Sequence, residues 1–126
     1  MMSADLSAEI IFAGRLLLGG AFVFAGIRNI LNAALLPQLM SARGVPQART
    51  MLWLGIVLQI AAGALLIAGI WIVPAALGLI LFLLVATPMF HNFWDHQGQE
   101  RAAKINGVVG NIALIGGFLF VIASAS

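Results

Sequence analysis

The stretch TMLWLGIVLQIAAGALLIAGIWIVPAALGLILFLLVATPMFHNFW, residues 50–94, runs for 45 residues without a formal charge. A straight helix of that length would measure about 68 Å, more than twice the ~30 Å of a bilayer's hydrocarbon core. The stretch must therefore fold back once. Gly69 can end one helix, and Pro74 suits the first turn of the next, where its missing N–H costs nothing. The sequence predicts two membrane spans here, at about residues 51–70 and 73–93.

Apolar segments on either side of this stretch predict two further spans, at about residues 10–29 and 105–123. Each has roughly the 20 residues that a helix needs to cross. Between the first two spans, Pro37 can open a short helix that Gly44 and Pro46 end. The predicted fold class is all-α: an integral membrane four-helix bundle with a short interfacial helix between the first and second spans. It forms a single transmembrane domain over residues 1–126.

Composition points to the lipid bilayer as the surroundings of the chain. Of its 126 residues, 63% are hydrophobic and 8% are charged, whereas soluble domains carry roughly 25% charged residues. The chain has no cysteine, which excludes disulfides, thiolate metal sites and thiol redox chemistry. Net charge is only +2, without a cluster of Lys or Arg, so nucleic acid is not expected as a partner.

The positive charges predict the orientation of the chain. Arg43 and Arg49 lie between the first two spans, and Arg101 and Lys104 lie between the last two. Short loops rich in Lys and Arg stay in the cytoplasm, so both connections are expected there and both termini outside the cytoplasm.

Small residues predict where helices pack. In the fourth span, Asn106, Gly110, Ala113 and Gly117 recur at spacings of four, three and four, which forms a narrow stripe. Such stripes let another backbone approach closely, because lipid supplies no hydrophobic drive for helix association. We expect this stripe to pack inside the bundle; the alternative is that it docks onto the helices of a partner.

Two polar residues inside the spans need partners. Arg15 lies about six residues inside the first span, where it either reaches the outer headgroups or points into the bundle toward an anion or acceptor. Gln59 lies near the middle of the second span, where lipid cannot satisfy its amide. We expect Gln59 to face another helix, toward Asn111 at similar depth. There it would either hold the helices together by a hydrogen bond or contact a ligand.

The end of the third span, TPMFHNFWDHQ at residues 87–97, gathers the most polar side chains. On a helix, Thr87, His91 and Asp95 recur every four residues on one face, so His91 and Asp95 could hydrogen-bond directly. Asn92 lies beside them, and Pro88 tends to kink the helix. His91 and Asp95 supply at most two metal ligands, so no metal site is predicted. A quinone or similar amphipathic molecule could accept a hydrogen bond from His91 or Asn92. The alternative is the ordinary polarity of a membrane edge, with Trp53 and Trp94 at headgroup level.

Five segments in order resemble the DoxX family of small four-helix bacterial membrane proteins: GRLLLGGAFVFAGIRNILN, RGVP, LQIAAGALLIAGI, LVATPMFHNFW and GNIALIGGFLF. Arg15, Gly44 to Pro46, His91 and Trp94 match residues typical of the family. The resemblance implies a multi-pass protein of the bacterial cytoplasmic (inner) membrane, similar to the DoxD membrane subunit of thiosulfate:quinone oxidoreductase. Family members often carry an acidic residue at the position of Gln59 and lysines near Asn29 and at Gly110, so roles tied to those charges do not transfer.

Three functions remain open from the sequence. The preferred one is a non-catalytic accessory or structural subunit that packs into a larger membrane assembly, respiratory or redox, together with other membrane subunits and without a cofactor of its own. The alternative is a quinone-interacting subunit of a membrane oxidoreductase. Its candidate ligand-binding residues are His91, Asp95, Asn92, Arg15 and Gln59, while Gly110, Ala113, Gly117 and Asn111 serve helix packing. The third is a carrier for a small solute, with Arg15 and Gln59 along its path.

Overall fold

The computed structural model describes residues 4–91 and 93–125, and five α-helices account for most of that part of the chain. They are α1 (Ala4–Leu31), α2 (Leu36–Ala42), α3 (Ala48–Ala68), α4 (Ile72–Phe90) and α5 (Gly98–Ala125), with a short 3-10 turn at Phe93–Asp95. Helices α1, α3, α4 and α5 are long and apolar enough to cross a membrane, and α2 is the short helix between the first two spans. The predicted all-α membrane bundle is confirmed.

The turn between α3 and α4 forms where glycine and proline predict it. Gly69 adopts a left-handed backbone with φ of 76°, and its N–H donates to the carbonyl of Leu65 at 2.9 Å. The next N–H, of Ile70, donates to the same carbonyl at 3.0 Å, so the last turn of α3 is capped. Trp71 is also left-handed, with φ of 51°, and α4 starts at the following residue with Pro74 in its first turn.

The helix ends differ from the predicted spans, and the largest differences are at the starts of α1 and α5. These helices each contain 28 residues, about 42 Å, and begin in charged sequence before the apolar segments. The hydropathy of a segment marks the part in lipid, whereas helical hydrogen bonding continues into the headgroup region and water. Helix α4 is shorter than predicted: it ends at Phe90, because His91 has φ of −119° and ψ of 49° and leaves the helical conformation.

Helices α1 and α3 make the closest approach in the bundle. Gly19 and Gly63 lie against each other, and a Cβ added at Gly63 would come within 2.6 Å of the Gly19 carbonyl oxygen. One heptad further along α1, Gly26 lies against Ile60 and Gln59 of α3. Because these three glycines lack side chains, the two backbones can touch, as small-residue interfaces in membranes require.

Two apolar clusters fill the interior. In one, the rings of Phe22 and Phe118 lie 5.5 Å apart, and both are buried together with Leu66 and Leu79. The other is built around Met40 of α2, which packs against the start of α3. We call the end of the bundle that carries α2 and the α4–α5 connection the basic end, because Arg43, Arg49, Arg101 and Lys104 lie in or beside those two connections.

Candidate functional site

A cavity of about 760 Å³ lies in the half of the bundle nearer the basic end. All five helices contribute to its wall, and the wall is mostly apolar. Four polar side chains line it, each from a different part of the fold: Asn29 of α1, Gln59 of α3, His91 at the end of α4, and Asn111 of α5. The described residues that line it include no Asp, Glu, Lys or Arg. An apolar space with a few convergent hydrogen-bonding groups has the chemistry of a small-molecule site.

Gln59 and Asn29 form the first polar contact in this cavity. The amide nitrogen Nδ2 of Asn29 donates to Oε1 of Gln59 at 2.8 Å, which joins α1 to α3. Gln59 is the buried polar residue of the described chain, at 3% exposure. Gln59 faces another helix as predicted, but its hydrogen-bond partner is Asn29 and not Asn111, which bonds Thr87.

Asn111 forms the second polar contact. Its Nδ2 donates to Oγ1 of Thr87 at 2.9 Å, which joins α5 to α4. Both side chains are half-buried. The two contacts join the helices in pairs, α1 with α3 and α4 with α5.

His91 is the first residue after α4, and its backbone N–H donates to the Thr87 carbonyl at 2.8 Å. Its ring packs directly onto Gly107 of α5, where even a methyl group would overlap the ring. Close by, Nζ of Lys104 donates to the Phe90 carbonyl at 2.7 Å. A cation on the last carbonyls of a helix is favoured by the helix dipole. Sequence reasoning missed Gly107 and this role of Lys104; the only available signal was a Lys shortly after a helix end.

Asp95 lies away from the predicted helix face. Because α4 ends at Phe90 and residues 93–95 form a 3-10 turn, Thr87, His91 and Asp95 do not share one face of a continuous helix. The prediction of a shared face is wrong. Instead, Asp95 accepts a hydrogen bond and ion pair from Nη1 of Arg43 at 2.7 Å, which links the end of α2 to the turn before α5. Asn92, the other predicted ligand contact here, lies outside the described residues.

Arg15 lies near the opposite end of the bundle, away from the cavity. Its Nη1 donates to the Leu66 carbonyl at 3.1 Å, its guanidinium contacts Gly69, and it lies 5.7 Å from the centre of the Phe12 ring. Nε is buried without a partner among the described residues. Of the two predicted orientations, the structure has the one toward an acceptor in the bundle, and that acceptor is the carbonyl end of α3.

The small-residue stripe of α5 lies mostly on the outside. Gly110 and Ala113 are exposed, and a Cβ added at Gly110 would meet no atom within 4 Å. Gly117 is partly buried, 3.8 Å from Leu18 by the same measure, and Asn111 faces the cavity. The predicted packing of Gly110 and Ala113 inside the bundle is therefore wrong, because α5 turns the neighbouring face inward.

The sequence pattern of the DoxX family matches residues 10–92, which is more than half of the chain. This chain belongs to the DoxX family. The match covers α1 beyond its first turn, α2, α3, α4 and His91, and so includes three of the four polar groups in the cavity. No curated protein and no solved structure matches the chain. The family and the four apolar helices together make it a small multi-pass membrane protein of the lipid bilayer.

Proposed function

We propose that this DoxX-family protein is a subunit of a membrane oxidoreductase assembly and that its cavity binds the head group of a quinone. The cavity is the observation that carries the proposal. Its volume of about 760 Å³ suits a substituted ring, and its wall offers apolar contact on most sides.

The polar groups fit the carbonyl oxygens of such a ring. Asn29, Gln59 and Asn111 carry amide N–H groups, and a neutral imidazole at His91 carries one more donor. A carbonyl needs donors, and each of the two amide contacts uses only one N–H of its donating group. When bound, a quinone would supply two-electron redox chemistry that this cysteine-free chain does not provide through thiols. In this proposal the chain's own part is to bind and orient the ring, and His91, which lines the cavity, donates a hydrogen bond to it.

The test measures binding of decylubiquinone to the purified protein in lipid nanodiscs, with quenching of the fluorescence of the three tryptophans as the signal. His91→Ala should weaken saturable binding by about tenfold, the value of one hydrogen bond. His96→Ala is the matched control, because it removes the second histidine, which does not line the cavity, and it should leave binding unchanged. Quenching that never saturates, or that is identical in wild type and His91→Ala, would reject the proposal.

A second candidate function is that of a non-catalytic accessory subunit, favoured by the exposed Gly110 and Ala113 of α5. Small residues on a lipid-facing surface let a helix of another subunit approach closely. Purification from native membranes in mild detergent should then recover a second membrane protein, and Gly110→Leu should release it. Recovery of the isolated chain alone would count against this role.

We also propose that the protein resides in a bacterial cytoplasmic membrane with its basic end in the cytoplasm and both termini outside. The support is the placement of Arg43, Arg49, Arg101 and Lys104 in the two connections at that end. A reporter enzyme that is active only in the cytoplasm, fused after Ser126, should be inactive. Activity of that fusion would reverse the proposed topology.

A further inference from the structure

The cavity wall reaches the outer surface of the bundle in a crevice between α3 and α4. Four large apolar side chains both line the cavity and are strongly exposed: Met51 at 43%, Leu54 at 59%, Leu81 at 59% and Val85 at 55%. All four belong to α3 or α4. In a membrane-spanning bundle, exposed apolar side chains of the spanning helices face lipid, so this crevice connects the cavity with the hydrocarbon phase.

The route from water is covered at the basic end. Leu36, Met40 and Val45, from α2 and the residues that follow it, line the cavity on that side, and Met40 is only 4% exposed. The Arg43–Asp95 pair at 2.7 Å then ties the end of α2 to the turn that precedes α5. Helix α2 thus lies across the end of the cavity that is nearest to the charged connections.

Gly55 and Phe82 set the width of the crevice. Gly55 lies on α3 opposite the Phe82 ring of α4, and a Cβ added at Gly55 would stand 3.2 Å from Cε1 of that ring. Any larger side chain at position 55 would fill the space between the two helices. The ring of Phe82 also contacts Phe22 of the apolar core edge-on, with centroids 6.3 Å apart, which holds the ring in place.

We propose that ligands enter the cavity sideways from the bilayer through this α3–α4 crevice, that Gly55 keeps the portal open, and that the site selects uncharged molecules dissolved in the membrane. The selection follows from the lining, whose described residues offer donors and acceptors of hydrogen bonds but no charged side chain to pair with an ionic head group. A charged molecule would lose its hydration there without compensation. This inference rests on the proposed ligand-binding function and adds the route and the class of ligand.

The experiment measures association and dissociation rates of decylubiquinone in nanodiscs by stopped-flow quenching of tryptophan fluorescence. Gly55→Leu should slow both rates by at least about tenfold and change Kd far less, because a plug in a portal raises the barrier in both directions. Phe82→Ala, which widens the crevice, should speed both rates. Gly116→Leu is the matched control, since a Cβ added there would meet no atom within 4 Å and Gly116 does not line the cavity, and it should change neither rate.

Two further arms separate the possible outcomes. Arg43→Gln loosens α2, so faster binding in this variant together with unchanged rates in Gly55→Leu would place the entrance at the basic end and overturn the proposal. Unchanged rates in both Gly55→Leu and Phe82→Ala would overturn it as well. If Gly55→Leu does not fold, as judged by gel filtration and circular dichroism, Phe82→Ala decides alone.

Ligand charge is tested with hexadecanesulfonate, which has an apolar tail and a head group that stays anionic in the bilayer at neutral pH. It should not displace decylubiquinone, and displacement at comparable concentration would refute the selection of uncharged molecules. Failure of the wild type to bind decylubiquinone saturably is a different result, because it rejects the proposed function itself and leaves no portal to be measured.

Discussion

Gly63→Ala should loosen the contact between α1 and α3 and destabilise the whole bundle. The added Cβ would lie 2.6 Å from the carbonyl oxygen of Gly19 and 3.0 Å from a methyl carbon of Val23, where ordinary contact begins at 3.4 Å. The nearer atom belongs to a helix backbone, so it cannot rotate away as the end of a flexible side chain would. The two helices must separate by several tenths of an ångström along their closest approach.

The expected change in the free energy of unfolding follows from the packing contacts that are lost when the two helices separate. Overpacking of a well-filled interior typically costs about 1–3 kcal/mol, and lipid offers no hydrophobic compensation between helices. Alanine has a higher helix propensity than glycine by roughly 1 kcal/mol, which acts in the opposite direction. We therefore expect Gly63→Ala to lower the free energy of unfolding by about 1–2 kcal/mol, near the middle of the overpacking range less part of the propensity gain.

The assay measures reversible unfolding in mixed micelles, with circular dichroism as the signal. It includes two control variants. Gly20→Ala and Gly110→Ala add the same methyl group at helical positions where no atom lies within 4 Å, so they should be neutral or slightly stabilising. Gly19→Ala, on the other side of the contact, should behave like Gly63→Ala. If all four variants show the same stability, close backbone contact does not hold α1 against α3.

Three other substitutions test single contacts by the same unfolding assay. Arg15→Leu should lower the free energy of unfolding by about 1 kcal/mol, because it removes the hydrogen bond to the carbonyl end of α3. An unchanged free energy of unfolding would mean that the guanidinium faces lipid headgroups instead. Gln59→Glu should lower the free energy of unfolding by about 3 kcal/mol, because it buries a carboxylate without a cation beside it. Asn29→Lys in the same chain should restore much of that free energy. If the effects of the two substitutions simply add, the contact between residues 29 and 59 is refuted. Arg43→Gln should cost less than about 1 kcal/mol, because its pair with Asp95 is partly exposed, and the cost should disappear in 1 M salt; a larger, salt-independent loss would show a different role.

The spans were predictable because the lipid phase imposes a length and a composition on them. Residues 50–94 are too long for one crossing, and Gly69 supplies the positive φ that ends α3, so the hairpin of α3 and α4 follows from sequence. The end of α4 was less predictable. Polar side chains at residues 91–95 are compatible with a continuing helix or with a turn, and the Lys104 contact with Phe90, which stabilises the earlier end, comes from another helix.

The face of α5 that packs was not predictable from residue size. Asn111, Leu114, Phe118 and Val121 recur at spacings of three, four and three and turn toward the bundle, one position away from the predicted small-residue stripe. Small residues permit close approach but do not require it, whereas the buried Phe118 ring fills the space beside Phe22. The face of α5 that packs inward is therefore determined by the large apolar side chains that fill the interior of the bundle.

The polar residues of the cavity could serve either of two roles: to hold helices together or to bind a ligand. Amide pairs can hold transmembrane helices together without binding anything, and the Asn29–Gln59 and Asn111–Thr87 contacts each join two helices in this way. If holding helices together were their whole role, the space between the pairs should be filled by side chains, because lipid-embedded helices depend on tight packing. Here Asn29, Gln59 and Asn111 line a cavity of about 760 Å³, together with His91. Asn29, Gln59 and Asn111 therefore both join helices and line an open space, and this second feature is the basis for the proposed ligand site.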